Sequence, residues 1–211
     1  MSVIRPNLVV MRREMVTVGR RMYEKGLIVA AEGNLSVRLG GHSFLVTPSG
    51  RSKGSLRVQD LLEVDTRGRS PQGTATSEWS LHSKIYALRP EVRAICHAHS
   101  PWATAFAVAG RDLDGSLLTE TASLLPRVPL AARSLPGTDA LAGSVVPFIP
   151  TCDAVLLGNH GVVTVGTDLL SAFSLLETVE RLAQVTLLAE VAAGKSGVDP
   201  EILRKLQTPP S

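Results

Sequence analysis

Glu91-Val92-Arg93-Ala94-Ile95-Cys96-His97-Ala98-His99-Ser100-Pro101 reads as one short buried strand with chemistry at its far end. Arg93 to Cys96 is built of small or β-branched residues, and Ser100-Pro101 closes the run. Side chains at i and i+2 leave the same face of a strand. His97 and His99 therefore point the same way, as two ligands of one metal must. Cys96 points to the opposite face and is not counted as a ligand. Farther along, the apolar run Ala154-Val155-Leu156-Leu157 leads into Asn159-His160-Gly161. That puts His160 at a strand end, where a third imidazole can converge. Three neutral imidazoles plus a water or substrate oxygen make an open, catalytic type of zinc site. A His-x-His on a strand also arises from packing alone. Glu78, in the turn-like Thr76-Ser77-Glu78-Trp79, and the polar loops upstream favour the metal.

Outward from this strand, residues 7–25 predict a helix, with Leu8, Met11, Met15, Val18 and Met22 at helical spacing and Gly26 as its stop. Residues 37–39 and 44–47 read as a hairpin turned at Gly40-Gly41-His42. Residues 58–62 predict a short helix and 63–65 a short strand. Ser77 is the expected N-cap of a helix over 78–88, ending before Pro90. Pro101 opens a helix over 102–108. Residues 116–127 have the features of both strand and loop. A helix over 138–145, strands at 154–157 and 161–165, and a long amphipathic helix over 167–193 follow. A last short helix is expected at 200–206, then a frayed tail. Strands alternating with helices around a hairpin predict an α/β layered arrangement over a mixed or largely antiparallel sheet.

With 211 residues, the chain is expected to form one domain, residues 1–211. Hydrophobic residues make up 44% and mean hydropathy is +0.16, as in a well-packed globule. The pI is about 9.1, but the net charge is only +3 and is spread along the chain. Aromatics at 4% are too few to stack bases, so no nucleic-acid partner is expected. No run approaches the about eighteen apolar residues of a membrane span, and no signal peptide is read at the start. Cys96 and Cys152, the only cysteines, read as buried free thiols of a reducing compartment, giving a cytoplasmic address.

Three loops carry small hydrogen-bonding residues: Gly33-Asn34-Leu35-Ser36, Thr47-Pro48-Ser49-Gly50 and Thr76-Ser77. They read either as ordinary turns or as a nest of donors for phosphate. Glu78 reads either as a first-turn carboxylate complementing the helix dipole or as a general acid/base beside the metal.

Taken in order, Gly33-Asn34-Leu35-Ser36-Val37-Arg38, Thr47-Pro48-Ser49-Gly50, Ser77-Glu78-Trp79 with His82, His97-Ala98-His99-Ser100 and Asn159-His160-Gly161 closely resemble the class II aldolase/adducin family. The resemblance runs from about residue 8 to residue 192. It implies a three-layer α/β/α fold around a mainly antiparallel mixed sheet. It implies one Zn2+ per subunit, on His97, His99 and His160, and Glu78 as the catalytic acid/base. It implies that Asn34, Ser49, Gly50, Thr76 and Ser77 hold the substrate phosphate. It implies a homotetramer with active sites between subunits. The activity implied is a zinc-dependent lyase that cleaves a ketose 1-phosphate to dihydroxyacetone phosphate and an aldehyde through a metal-stabilised enediolate. Relatives use the same site as decarboxylases, dehydratases or 4-epimerases, and the adducin branch is a non-catalytic binding module. The family's proton-donating tyrosines are missing: Tyr23 and Tyr86 are the only two, and neither follows the zinc histidines. His82 is expected to be structural.

Overall fold

The first helix is set by its cap: the Asn7 side chain accepts from the Val9 and Val10 N–H groups. The computed structural model describes residues 7–194; the helix expected at 200–206 lies outside them. In chain order come α1 (Leu8–Glu24), the hairpin of β1 (Asn34–Gly40) and β2 (Ser43–Val46), β3 (Leu62–Val64) and α2 (Trp79–Leu88). Then follow β4 (Ala94–Ala98), α3 (Pro101–Val108), β5 (Leu113–Asp114), α4 (Thr119–Leu124), β6 (Arg127–Val128) and β7 (Leu130–Ala131). The described chain ends with α5 (Asp139–Ser144), β8 (Ala154–Leu157), β9 (Gly161–Gly166) and α6 (Leu169–Ala192). The expected elements are all there among the described residues, apart from shifts at their ends. The stretch left open between strand and loop holds α4 and β6. The short helix expected at 58–62 is a single 3₁₀ turn, Val58–Asp60.

Seven strands form one sheet in the order β3-β2-β1-β4-β9-β8-β7. Every neighbouring pair is antiparallel except β7 with β8. The sheet is thus mixed and mainly antiparallel, and β4 is its middle strand. Alternation along β4 and its neighbours sends side chains to two helical layers. Leu35, Cys96, Leu156 and Val162 pack with Met15 of α1, Phe106 of α3 and Phe173 of α6. Ile95, Val155, Val163 and Val165 pack with Leu81 and Ile85 of α2 and Leu141 of α5. This is the three-layer α/β/α arrangement. Each fully buried Leu, Ile or Phe contributes about 1.5–3 kcal/mol, so both faces hold β4 in place. Cys96 faces α6, as the alternation requires. Cys152 departs from expectation: it is only partly buried, in a turn before β8, and both cysteines are free.

Buried Glu180 on α6 accepts from the Trp102 and Ala103 N–H groups at 2.9 Å each. It caps the first turn of α3 directly after the His-x-His strand. At this same end of β4, Gly161 begins β9 beside Ala98. A Cβ at 161 would run into the Ala98 carbonyl oxygen and come within 3.1 Å of the His99 ring. Gly161→Ala is therefore expected to cost about 1–3 kcal/mol through overpacking and to weaken metal binding. Urea unfolding and metal titration of the variant check both.

Candidate metal centre and active site

His97 lies on β4, His99 just beyond its end, and His160 in the tight turn between β8 and β9. Asn159 takes a left-handed φ of +57° before His160, a conformation Asn tolerates better than most residues. The three rings meet edge to face, with centroids 5.0, 4.7 and 4.7 Å apart. One ligand nitrogen from each lies within 4.8 Å of the others.

The donor set fits a metal. The His97 Nδ1–H donates to the Val162 carbonyl at 2.9 Å, which turns Nε2 toward the centre. His99 Nδ1 lies 3.5 Å from Glu32 Oε1. Ring-nitrogen partners of this kind are how metal-binding histidines are oriented. His97 Nε2 and His99 Nε2 stand 3.1 Å apart, and two lone pairs at that distance repel unless a proton or cation lies between them. Three imidazole nitrogens with a carboxylate oxygen nearby suit a divalent transition-metal ion.

The nearby carboxylate is Glu78. Ser77 is not the N-cap: α2 begins at Trp79, so Glu78 occupies the cap position, and its side chain makes no cap bond. Instead, Oε2 lies 3.0 Å from His97 Nε2 and Oε1 lies 3.1 Å from His160 Nε2. Burial alone would raise its pKa. Charge on His97 and hydrogen bonds from His160, His97 and Asn34 outweigh that and hold the carboxyl well below the usual range. His97 answers in the opposite direction: burial lowers its pKa, but Glu78 and the Val162 carbonyl raise it above the ordinary value. His99 is pushed down to about 4, by burial first and then by His97 and His160.

Beside the histidines opens a pocket of about 230 Å³. Asn34, Ser49, Gly50, Thr76, Ser77, Glu78, His99 and His160 all line it, and His97 lies buried behind. The two donor loops are tied together. Ser49 N–H donates to the Thr74 carbonyl at 3.1 Å and Thr76 N–H to the Thr47 carbonyl at 3.2 Å. Asn34 is not in a loop, as its sequence reads, but opens β1 directly opposite His97. Gly33 precedes it with φ +65°, and a Cβ there would sit 2.7 Å from the His97 carbonyl oxygen.

Sequence reasoning missed two charged lining residues, Glu32 and Lys53. Among the described residues, Lys53 is the only lysine or arginine lining this pocket. Its Nζ donates to the Ala31 and Arg51 carbonyls, and burial, offset in part by Glu78 and Glu32, lowers its pKa to about 8. Only its burial marks it out, and burial is not written in one sequence. His82 does not line the pocket: it is fully buried beneath Asn34.

The family described as class II aldolase and adducin N-terminal domain matches residues 13–187. An L-fuculose phosphate aldolase of Methanococcus maripaludis is 34% identical over 168 residues, 79% of this chain and 91% of that protein. A 3-oxo-tetronate 4-phosphate decarboxylase of Haemophilus influenzae is 36% identical over 176 residues, 81% of this chain and 84% of that one. The crystal structure of an L-fuculose-1-phosphate aldolase from Thermus thermophilus superposes with a TM-score of 0.79 at 34% identity, covering 90% of this chain and 98% of that one. The fold and the histidine cluster, with these matches, define an enzyme of the metal-dependent aldolase type. The chain belongs to the class II aldolase and adducin family.

Chelator-stripped protein is expected to take up one divalent ion per chain, and His99→Ala to take up none tightly; metal analysis after gel filtration checks this. A pH prediction follows from His82, whose pKa burial and His97 lower from 6.5 to about 3. The unfolded chain binds this proton below about 6.5 and the folded chain does not, so the group's contribution to stability falls with falling pH. Metal-free wild type should therefore lose stability relative to His82→Gln between about pH 6.5 and 3, followed by urea unfolding. A difference independent of pH would contradict a neutral buried His82.

Proposed function

We propose that this chain is a zinc-dependent aldolase acting on a ketose 1-phosphate. The observation that carries the reading is the buried Glu78 carboxylate, 3.0 and 3.1 Å from the Nε2 atoms of two of three converging imidazoles. His97, His99 and His160 would hold the metal. When bound, the metal supplies a Lewis acid for negative charge developing on the substrate oxygen.

The remaining chemistry falls to the chain's own groups. Cleavage removes a proton from the hydroxyl on the carbon released as aldehyde. It breaks the adjoining carbon–carbon bond and returns a proton to the carbon that stays with the phosphate-bearing fragment. Glu78 is the group placed to deliver that last proton and, in the synthetic direction, to remove it. The turns at 47–50 and 76–77 offer hydroxyls and backbone N–H groups to the phosphate, with Asn34 beside them. Lys53, the cation in the pocket wall, offsets part of its charge. Names of relatives support a phosphorylated sugar: L-fuculose phosphate aldolase in Methanococcus maripaludis and 5-methylthioribulose-1-phosphate/5-deoxyribulose-1-phosphate aldolase in Rhodospirillum rubrum.

A second reading, decarboxylation of a phosphorylated keto acid, is favoured by a specific observation. No tyrosine lines the pocket. Tyr23 is half exposed on α1, and Tyr86 is buried under β1. An aldolase must move a proton at the oxygen of the aldehyde fragment, off it in cleavage and onto it in synthesis, whereas a decarboxylase releases CO2 and needs no such group. In the aldolase reading a neighbouring copy in a homotetramer completes the pocket at the subunit boundary. No described helix is long and apolar enough to cross a membrane, and free Cys96 and Cys152 suit a reducing cytoplasm.

The test is a panel of ketose 1-phosphates and a 3-oxo-tetronate 4-phosphate offered to zinc-loaded protein, with dihydroxyacetone phosphate and CO2 both measured. Release of dihydroxyacetone phosphate is expected, and CO2 in excess of aldehyde would replace the first reading with the second. Glu78→Gln should keep its zinc and lose roughly a hundredfold to ten-thousandfold in kcat. Full activity in that variant would remove Glu78 from the chemistry.

A further inference from the structure

Behind Glu78 runs a line of buried polar groups that the reaction itself does not use. Asn34 Nδ2 donates to Glu78 Oε2 at 2.9 Å. Asn34 Oδ1 lies 2.5 Å from His82 Nε2. His82 Nδ1 lies 2.6 Å from Ser36 Oγ, and Ser36 Oγ lies 2.8 Å from the Tyr86 hydroxyl. All five residues are buried, Ser36 and His82 completely.

The spacing in sequence explains the geometry. Glu78, His82 and Tyr86 recur every fourth residue, so they form one stripe along α2. Asn34 and Ser36 are two apart on β1 and share the face turned toward that stripe. The two sets interleave as a zipper: Glu78, Asn34, His82, Ser36, Tyr86.

One constraint fixes the sense of every bond. A carboxylate only accepts hydrogen bonds. Asn34 must therefore turn its NH2 to Glu78, and its carbonyl oxygen then needs a donor. His82 must carry its proton on Nε2, which leaves Nδ1 bare. Ser36 spends its single proton on that nitrogen, so the Tyr86 hydroxyl must donate to Ser36. The low pKa of buried His82 agrees with a neutral ring. Reversing any link would set two donors or two acceptors against each other among fully or nearly fully buried groups. Glu78 needs such a tether. It stands at the cap position of α2, where a side-chain oxygen ordinarily turns to the helix N–H groups, yet it makes no cap bond.

Resting on the aldolase reading, we propose that Asn34, His82, Ser36 and Tyr86 are positioning residues. They form a one-way hydrogen-bond chain that holds Glu78 aimed at the histidines. Asn34 thus serves the acid/base group as well as lining the phosphate pocket.

Two measurements test it. The first is a long-range proton–nitrogen correlation spectrum of the histidine rings in the wild-type protein, assigned with His82→Gln. A neutral ring protonated on Nε2 is expected for His82; protonation on Nδ1 overturns the chain, whatever any variant does. The second compares His82→Gln with His82→Leu on the ketose 1-phosphates that wild type cleaves. The glutamine carboxamide presents a donor and an acceptor in the same sense as the ring, and leucine only fills space. His82→Leu should lose about tenfold to a hundredfold in kcat, with KM and zinc content little changed, and His82→Gln should recover most of that loss. A residue that merely fills the core gives equal rates in two variants of equal melting temperature, and that result overturns the proposal. Wild type inactive on every ketose 1-phosphate would instead sink the aldolase reading, while the ring spectrum still decides the chain.

Discussion

Taking a carboxylate out of water costs several kcal/mol unless charge and hydrogen bonds replace its hydration. Glu78 is only 5% exposed, and much of the local structure replaces that hydration. His97 reaches it from the middle strand of the sheet, His160 from the turn into β9, and Asn34 from the start of β1. Each of these positions is set by pairing. Asn34 stands opposite His97, and His97 opposite Val163. The sheet therefore fixes the relative placement of two of the carboxylate's partners before any side chain chooses a rotamer.

The two helical layers divide the work. The α1, α3 and α6 side is mainly apolar and clamps the sheet from behind, with Phe173 and Met15 fully buried. The α2 side carries the polar stripe that meets β1 and delivers Glu78 at the cap position of α2. A fully satisfied line of polar groups specifies one packing of α2 on β1, because sliding by a residue would leave buried donors and acceptors unmatched. The active side of the molecule is thus held by direction-dependent bonds and the rear side by area.

Much of this was legible in the sequence, and the failures have physical reasons. The i, i+2 spacing of His97 and His99 carried their common face, with Cys96 on the other. Asn34 reads as loop because an alternating polar strand face looks like a turn when its partner, the polar stripe of α2, is distant in sequence. Ser77 looked like a cap because Ser usually is one; here Glu78 takes the cap position without capping. The strands Leu113–Asp114 and Leu130–Ala131 are two residues each, too short for any periodicity. His82 was read as structural, and its burial bears out that it does not face the pocket. What one sequence could not show is that both its ring nitrogens are engaged and lead to Glu78. Lys53 and Glu32 reach the pocket only through loop geometry.

The central claim is that Glu78, beside a metal held by the three histidines, moves a proton on a phosphorylated three-carbon ketone. Zinc-loaded protein with dihydroxyacetone phosphate in D2O, followed by proton NMR, tests it without knowing the aldehyde. The account predicts enzyme-dependent loss of one hydroxymethyl proton signal, with a single stereochemistry, stopped by a chelator and restored by zinc. No exchange from a zinc-replete, folded protein would contradict it.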